Sequence, residues 1–320
     1  MIRLDLSDTV SFGAHRSGWG YCMSKLAPFH SRNGVYFDSF IEKKFSWEIK
    51  SFYSGGNFYE KYNRDWVGVL HNPPNNPSWF DNSNSPQAIF QRRAFQEAMK
   101  TCKAIVCLSE YLSKWVSDKT DVPVVTVKHP TEIPRVKWDI RKYIKSDRKE
   151  LVQIGYWLRK IDSIHKMRVG PDIKKIWLPS NQEYAMEMYR TLKRTSMENM
   201  GSDYTWAGVW MTSFSDSDFD QLLSRCVVFL DQYDSSANNA VVECVARNTP
   251  LITNRLPAVE EYLGKDYPLY FEDLDHASTL VYDEEKIYQA HLYLKNMDKR
   301  WISGTYFAND LISKLETVLS

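Results

Sequence analysis

Short runs of aliphatic and β-branched residues alternate with segments of helical apolar spacing along most of the chain. In the first half, Thr9 to Ala14, Val35 to Ile41, WVGVL at 66–70, AIVCL at 104–108 and PVVTVKHP at 123–130 have the length and composition of buried strands. Between them lie YCMSKLAPF, a segment from about Pro86 to Thr101 with Ile89, Phe90, Ala94, Ala98 and Met99 at helical spacing, and the Ser-started EYLSKWVSD. Strand, helix, strand order with short connections predicts a parallel sheet covered by helices.

From Pro130 to Glu150 the pattern stops. TEIPRVKWDIRKYIKSDRKE has no apolar period and many charges, and reads as a solvated connection between domains. The alternation then resumes with strand-like LVQIGYW, KKIWLP, VVFLDQY, LITN and PLYF, and with helix-like QEYAMEMYRTLKR, FDQLLSRC and PAVEEYLG. The expected fold class is α/β: two Rossmann-like, doubly wound domains, residues 1–145 and 146–300, facing a central cleft. Residues 301–320 form a last helix, roughly Tyr306 to Val318, expected to pack back on the first domain. Such sheets bind ligands outside the carboxyl ends of their strands, so any site belongs in the cleft.

Composition narrows this picture. With 320 residues and 43% hydrophobic content the chain is long enough for two cores. Forty-one basic residues against forty acidic ones leave no bulk charge that would attract nucleic acid. Five scattered cysteines, with no second pair at zinc-like spacing, fit a reduced intracellular compartment. No apolar run reaches the roughly 18 residues of a membrane helix, and MIRLDLSDTVSF has acids where a secretory signal is apolar. The expectation is a soluble, cytoplasmic protein, with peripheral membrane contact left open at the basic cluster Arg135 to Lys149.

Candidate chemistry is densest in DQYDSSANNAVVECVARNTPLITN, residues 231–254. Ser235, Ser236, Ala237, Asn238, Asn239 and Ala240 are small or amide-bearing residues at a helix start, where unpaired N–H groups and the helix dipole attract anions. Ser and Asn are also ordinary helix caps, so both readings stand. Glu243 follows a turn later among apolar neighbours, and a buried lone charge there requires either a basic partner or a ligand hydroxyl pair.

Taken whole, the string from Cys226 to Phe271, with its strand, acid-bearing loop, helix carrying Glu243 and Asn-Thr-Pro turn, resembles the donor-binding segment of GT-B glycosyltransferases, especially the retaining family 4. The resemblance implies that the helix start binds a nucleotide diphosphate and that Glu243 accepts hydrogen bonds from the ribose. The family's first acid falls on Ser235, with Asp234 and Asp231 beside it as substitutes. IGYWLRKID at 154–162 resembles the loop that carries an Arg and a Lys to the same diphosphate. Arg159 and Lys160 are the implied catalytic cations, with Lys166 the fallback, stabilising charge that grows as the glycosidic bond breaks. By the same resemblance, the backbone of TWAGVW at 205–210 falls where the family holds the nucleotide base.

In the first half SGWG at 17–20 resembles the family's glycine-bearing loop, with Gly18 as its contact, and His71 stands where a His lies near the reacting sugar; Asn72, Trp79 and His15 are weaker companions. Asp216-Ser217-Asp218 mimics a metal motif of the other glycosyltransferase fold. It precedes Phe219, Leu222 and Leu223 at helical spacing, reads as a helix start, and no metal is expected. The resemblance implies transfer of a sugar, with retention, from a nucleotide-diphosphate sugar held by the second half to a hydroxyl of a glycan, lipid-linked or protein-linked acceptor held by the first. No cofactor beyond the donor is implied. An epimerase of the same fold and a non-catalytic nucleotide-sugar-binding module remain the rival readings.

Overall fold

The structure, a computed structural model, describes residues 2–8, 17–48, 61–77, 80, 82–179, 183, 187, 190, 209–210 and 215–320. The strand expected over Thr9 to Ala14, most of the helix QEYAMEMYRTLKR, residues 205–208, His15 and Trp79 lie outside these.

Among the described residues, the first half forms a parallel sheet ordered β1 (Leu4–Asp5), β2 (Val35–Asp38), β3 (Trp66–Leu70), β4 (Cys102–Cys107) and β5 (Val124–Thr126). Its strands are covered on both faces, which is why they read as continuous apolar runs. Alternate residues divide between two cores. Val67, Val69, Ala104 and Val106 face α1 (Trp19–Leu26), whereas Trp66, Leu70, Ile105 and Cys107 face the side that carries α2 (Glu110–Ser117). β1 escapes the sequence reading because Leu4–Asp5 is too short to show a period. The single helix expected over Pro86 to Thr101 is two, Pro86–Phe90 and Arg93–Met99. At the break Arg92 is extended, and its guanidinium donates to the carbonyls of Phe45 and Ser83.

The second sheet is parallel and ordered β11-β10-β9-β6-β7-β8, from β6 (Lys149–Ile154), β7 (Ile173–Leu178), β8 (Val209–Trp210), β9 (Val227–Leu230), β10 (Leu251–Asn254) and β11 (Tyr270–Phe271). The order reverses between β6 and β9, so the loops that leave these two neighbours diverge and open a crevice. Those loops lead toward Arg159 and into the helix preceded by Asn238. Around the sheet lie α3 (Asp216–Leu223), α4 (Asn239–Arg247) and α5 (Pro257–Leu263).

The charged segment after Pro130 is not a solvated connection throughout. Ile140–Lys145 is a helix, and Trp138 and Tyr143 enter the core of the second half, with Trp138 Nε1 donating to the Cys226 carbonyl at 2.9 Å. Its charges hide two buried aromatics. The last helix, α6 (Gly304–Leu319), packs Phe307, Leu311 and Leu315 beside α1 against the first sheet. Among the described residues the chain therefore passes between the halves twice, and the crossings touch where Thr131 N donates to Ile302 O at 3.1 Å. No helix of the described residues is long and apolar enough to cross a membrane, and all five cysteines are free and buried.

Gly68 in β3 shows how tightly the first sheet is covered: a Cβ there would lie 2.5 Å from the Trp66 ring and 2.8 Å from Ile41. Gly68→Ala is expected to destabilise the protein by about 1–3 kcal/mol through overpacking, measured by denaturant unfolding; an unchanged midpoint would show that Trp66 can retreat.

Candidate functional site

A cavity of ≈ 580 Å³ lies between the strand ends of the two sheets. The second half contributes residues 154–159, 234–240 and Glu243, and the first half contributes Ser17, Phe40, His71, Asn72 and Pro73. Of the residues expected from the sequence, it brings together His71, Arg159, Asp234, Ser235, Ser236, Asn238, Asn239, Ala240 and Glu243.

Arg159 reaches the cavity because the loop after β6 doubles back. Gly155 has φ 78° and Leu158 φ 54°, conformations in the left-handed region that Gly adopts without strain and Leu does not. The guanidinium then donates to Ile154 O at 3.3 Å, Trp157 O at 2.6 Å and Asn238 Oδ1 at 3.0 Å. Burial pushes its pKa down to about 10, still far enough above neutrality to keep the charge.

At the start of α4, both readings of the small residues are present together. Asn238 Oδ1 accepts from Ala240 N at 2.9 Å and Val241 N at 3.4 Å, so two helix amides are capped by the side chain. Among the described residues, the N–H groups of Ser236, Ala237, Asn238 and Asn239 have no protein acceptor. Four successive free amides beside a guanidinium make a concavity whose polarity suits an anion.

Glu243 also has two faces. Its Oε2 pairs with Arg247 one turn on, and Arg247, fully buried, donates Nε and Nη2 to Asp220 Oδ1 at 2.9 and 2.6 Å. Of the two alternatives for Glu243, a basic partner or a ligand hydroxyl pair, the basic partner is present as Arg247, while Glu243 still lines the cavity. The Asp216-Ser217-Asp218 stretch is the first turn of α3, capped by Ser215 Oγ, which accepts from Asp218 N at 3.1 Å.

Three expected residues are placed otherwise. Lys160 does not join Arg159: its Nζ lies 3.0 Å from Asp231 Oδ1, in a neighbouring cavity shared with Lys166, because the buried Asp231 carboxylate draws the nearest cation. Asp231 itself, further held by Ser163 Oγ at 2.7 Å, does not reach the first cavity. Gly18 is the residue before α1, its carbonyl accepting from Tyr21 N at 3.0 Å, and it is Ser17 that lines the cavity.

The floor on the first-half side is aromatic. His71 stacks on Phe40 at 4.1 Å and meets the edge of Trp19 at 4.6 Å, and Trp19 stacks on His129 at 5.9 Å. His71 Nε2 donates to Ser39 O at 3.0 Å, which leaves Nδ1 as the acceptor, and burial pushes its pKa down to about 3. Beneath it the fully buried Glu42 accepts from His71 N and Asn72 N, both at 2.6 Å, through Oε1, while Oε2 has no partner. Burial pushes Glu42 up to about 7 and Asp38 up to about 6. Glu42, Phe40, Trp19 and His129 go unread in the sequence; an acid just after the apolar run Val35 to Ile41 is the one signal that was there.

The fold is similar to that of HepE from Anabaena in complex with UDP and glucose, at a TM-score of 0.63 and 12% identity over 93% of this chain and 81% of that one. It is also similar to α,α-trehalose 6-phosphate synthase from Burkholderia multivorans, at 0.58 and 10% over 94% and 76%. The E. coli trehalose-6-phosphate structure bound with UDP-2-fluoro glucose gives 0.56 and 10% over 93% and 78%. No protein-family model and no curated relative matches the sequence. At these identities the likeness establishes the fold, which is GT-B.

Two outcomes follow from the buried charges. Arg247→Met leaves Glu243 and Asp220 without their cation and is expected to cost about 3–5 kcal/mol of stability, read from denaturant midpoints. Glu42 binds its proton more tightly folded than unfolded, its pKa rising from 4.5 to about 7. Its contribution is therefore fully present below about pH 4.5 and is lost as pH rises through about 7. The stability of the natural protein relative to Glu42→Gln should fall by on the order of 3 kcal/mol between pH 4.5 and 8; parallel pH profiles for the two proteins would contradict this.

Proposed function

We propose that the chain is a glycosyltransferase that moves a sugar from a nucleoside-diphosphate sugar to an acceptor hydroxyl. The observation that carries this reading is the meeting of the Arg159 guanidinium, the free amides of Ser236 to Asn239 and the Glu243 carboxylate in one cavity at the switch point of the second sheet. Guanidinium and amides suit a pair of phosphates, and the side of Glu243 not taken by Arg247 suits a ribose diol. Because HepE and the E. coli structure hold UDP or UDP-sugar ligands, a UDP sugar is the first donor to try.

As the glycosidic bond breaks, negative charge collects on the departing phosphate, and Arg159 stabilises that state more than the ground state. Retention is part of the proposal. An imidazole pushed down to about 3 is a weak base, and both Asp234 oxygens are already engaged by protein donors. The described lining residues of the first half include no carboxylate, so the leaving phosphate serves as the base for an acceptor hydroxyl on that wall, and His71 acts by position. The aromatic faces of Phe40 and Trp19 suit the apolar side of a sugar ring, so a glycan or glycoconjugate acceptor fits the first-half wall. Ser235 in place of an acid, with Asp234 turned to other partners, favours one second reading, a donor-binding module without transfer.

A thermal-shift screen of UDP, GDP, dTDP and CDP sugars is expected to give at least one stabilising ligand, since about 100 Kd of ligand adds about 2.7 kcal/mol to the native state. Arg159→Met should weaken that ligand roughly 10- to 100-fold, the loss of charged hydrogen bonds. If every sugar nucleotide fails, or the variant binds unchanged, the reading is wrong. Binding with neither transfer nor hydrolysis across a mixed acceptor pool selects the module.

A further inference from the structure

The two halves meet beside the cavity through carboxylates of the second half that find their donors in the first. Asp234 Oδ2 accepts from Asn75 N at 2.8 Å and Tyr111 Oη at 3.0 Å, while its Oδ1 accepts from Ser235 N at 2.8 Å. Asn75 Nδ2 in turn donates to Tyr111 Oη at 2.5 Å, and the Ser109 and Ser236 hydroxyls lie 3.0 Å apart. Glu261 of α5 caps α2 from across the interface, accepting from Glu110 N at 2.6 Å and Tyr111 N at 2.7 Å, where a helix start favours negative charge. One short helix of the first half is thus gripped at two points by acids of the second.

We propose that Asp234 and Tyr111 form a closure latch that holds the Ser235 to Asn239 loop in its anion-binding shape only while the cleft is shut, and are positioning residues for transfer. This rests on the glycosyl-transfer reading of that loop. Asp234 fixes the Ser235 amide with one oxygen and the first half with the other, and Ser236 is held by Ser109, so the loop that presents the free amides is pinned from the opposite domain. A donor that orders the loop therefore strengthens the latch, and the latch strengthens donor binding by the same factor. Desolvation raises the pKa of both Asp234 and Glu261, so these acids are held closed against a cost that open, solvated carboxylates do not bear. Tyr111 does not line the cavity, so any effect of its hydroxyl on donor binding must pass through Asp234.

Since all five native cysteines are buried, spin labels at Lys103→Cys and Lys286→Cys, both on exposed positions of opposite halves, report the interdomain distance selectively. In the ligand-free parent one narrow distance distribution is expected. Tyr111→Phe, at an unchanged Tm, should raise the open-to-closed ratio about tenfold, the loss of one hydrogen bond to a charged group, and Asp234→Asn more. UDP-glucose should narrow both distributions again. Distributions identical to the parent in both variants would overturn the latch. Opened variants together with a parent that binds no sugar nucleotide would leave the latch in place and sink the glycosyl-transfer reading instead.

Discussion

Arg247, buried completely between Glu243 and Asp220, fixes the helix that carries Glu243 to the cavity. The carboxyl end of that helix is tied from several directions. The Arg247 carbonyl accepts from Trp138 N at 2.9 Å, the Ala246 carbonyl from Lys137 Nζ at 2.6 Å, and Asn248, left-handed at φ 59°, accepts through its carbonyl from His291 Nδ1 at 2.9 Å. A helix of nine residues is rigid on this scale, so tying one end sets the other. The Asn239 amide at its start is therefore held in place by packing remote from any ligand, whereas the amides of Ser236 to Asn238 lie in the loop before it and rest on that loop's contacts with the first half.

The acids of the second half have separate tasks, and these decide the charge of the cavity. Asp220 and one side of Glu243 neutralise Arg247, Asp231 takes Lys160, and Asp234 reaches across to the first half. Among the described lining residues Arg159 is the one cation left unpaired with a carboxylate. A half-buried guanidinium bonded only to neutral oxygens has a stronger local field than one set in a salt-bridge network, because no paired carboxylate cancels its charge.

The strands were legible because buried parallel strands are written as continuous apolar runs: WVGVL and AIVCL lie within or on β3 and β4. The helix start at Asn238 was legible from its cap chemistry, and so was the gathering of the 235–243 residues with Arg159, since one loop and one helix carry them all. What failed to show was side-chain direction. Lys160 adjoins Arg159 in sequence yet turns away to satisfy Asp231, a choice set by a partner on another strand end. Glu243 was readable as an acid in need of a partner, but which partner depended on the next turn of its own helix. Trp138 and Tyr143 were hidden by surrounding charges, and the Trp19–His71–His129 cluster by the chain distance between its members.

The paired crossings at Thr131 and Ile302 constrain how the molecule can deform. A single tether would let one lobe swivel freely about the other, whereas two tethers bonded side by side behave as an axle. Rotation about the line through them stays soft, while twist and sliding stretch one tether against the other. Such an axle would keep the lobes near a single degree of freedom, a jaw whose facing walls carry Arg159 and His71.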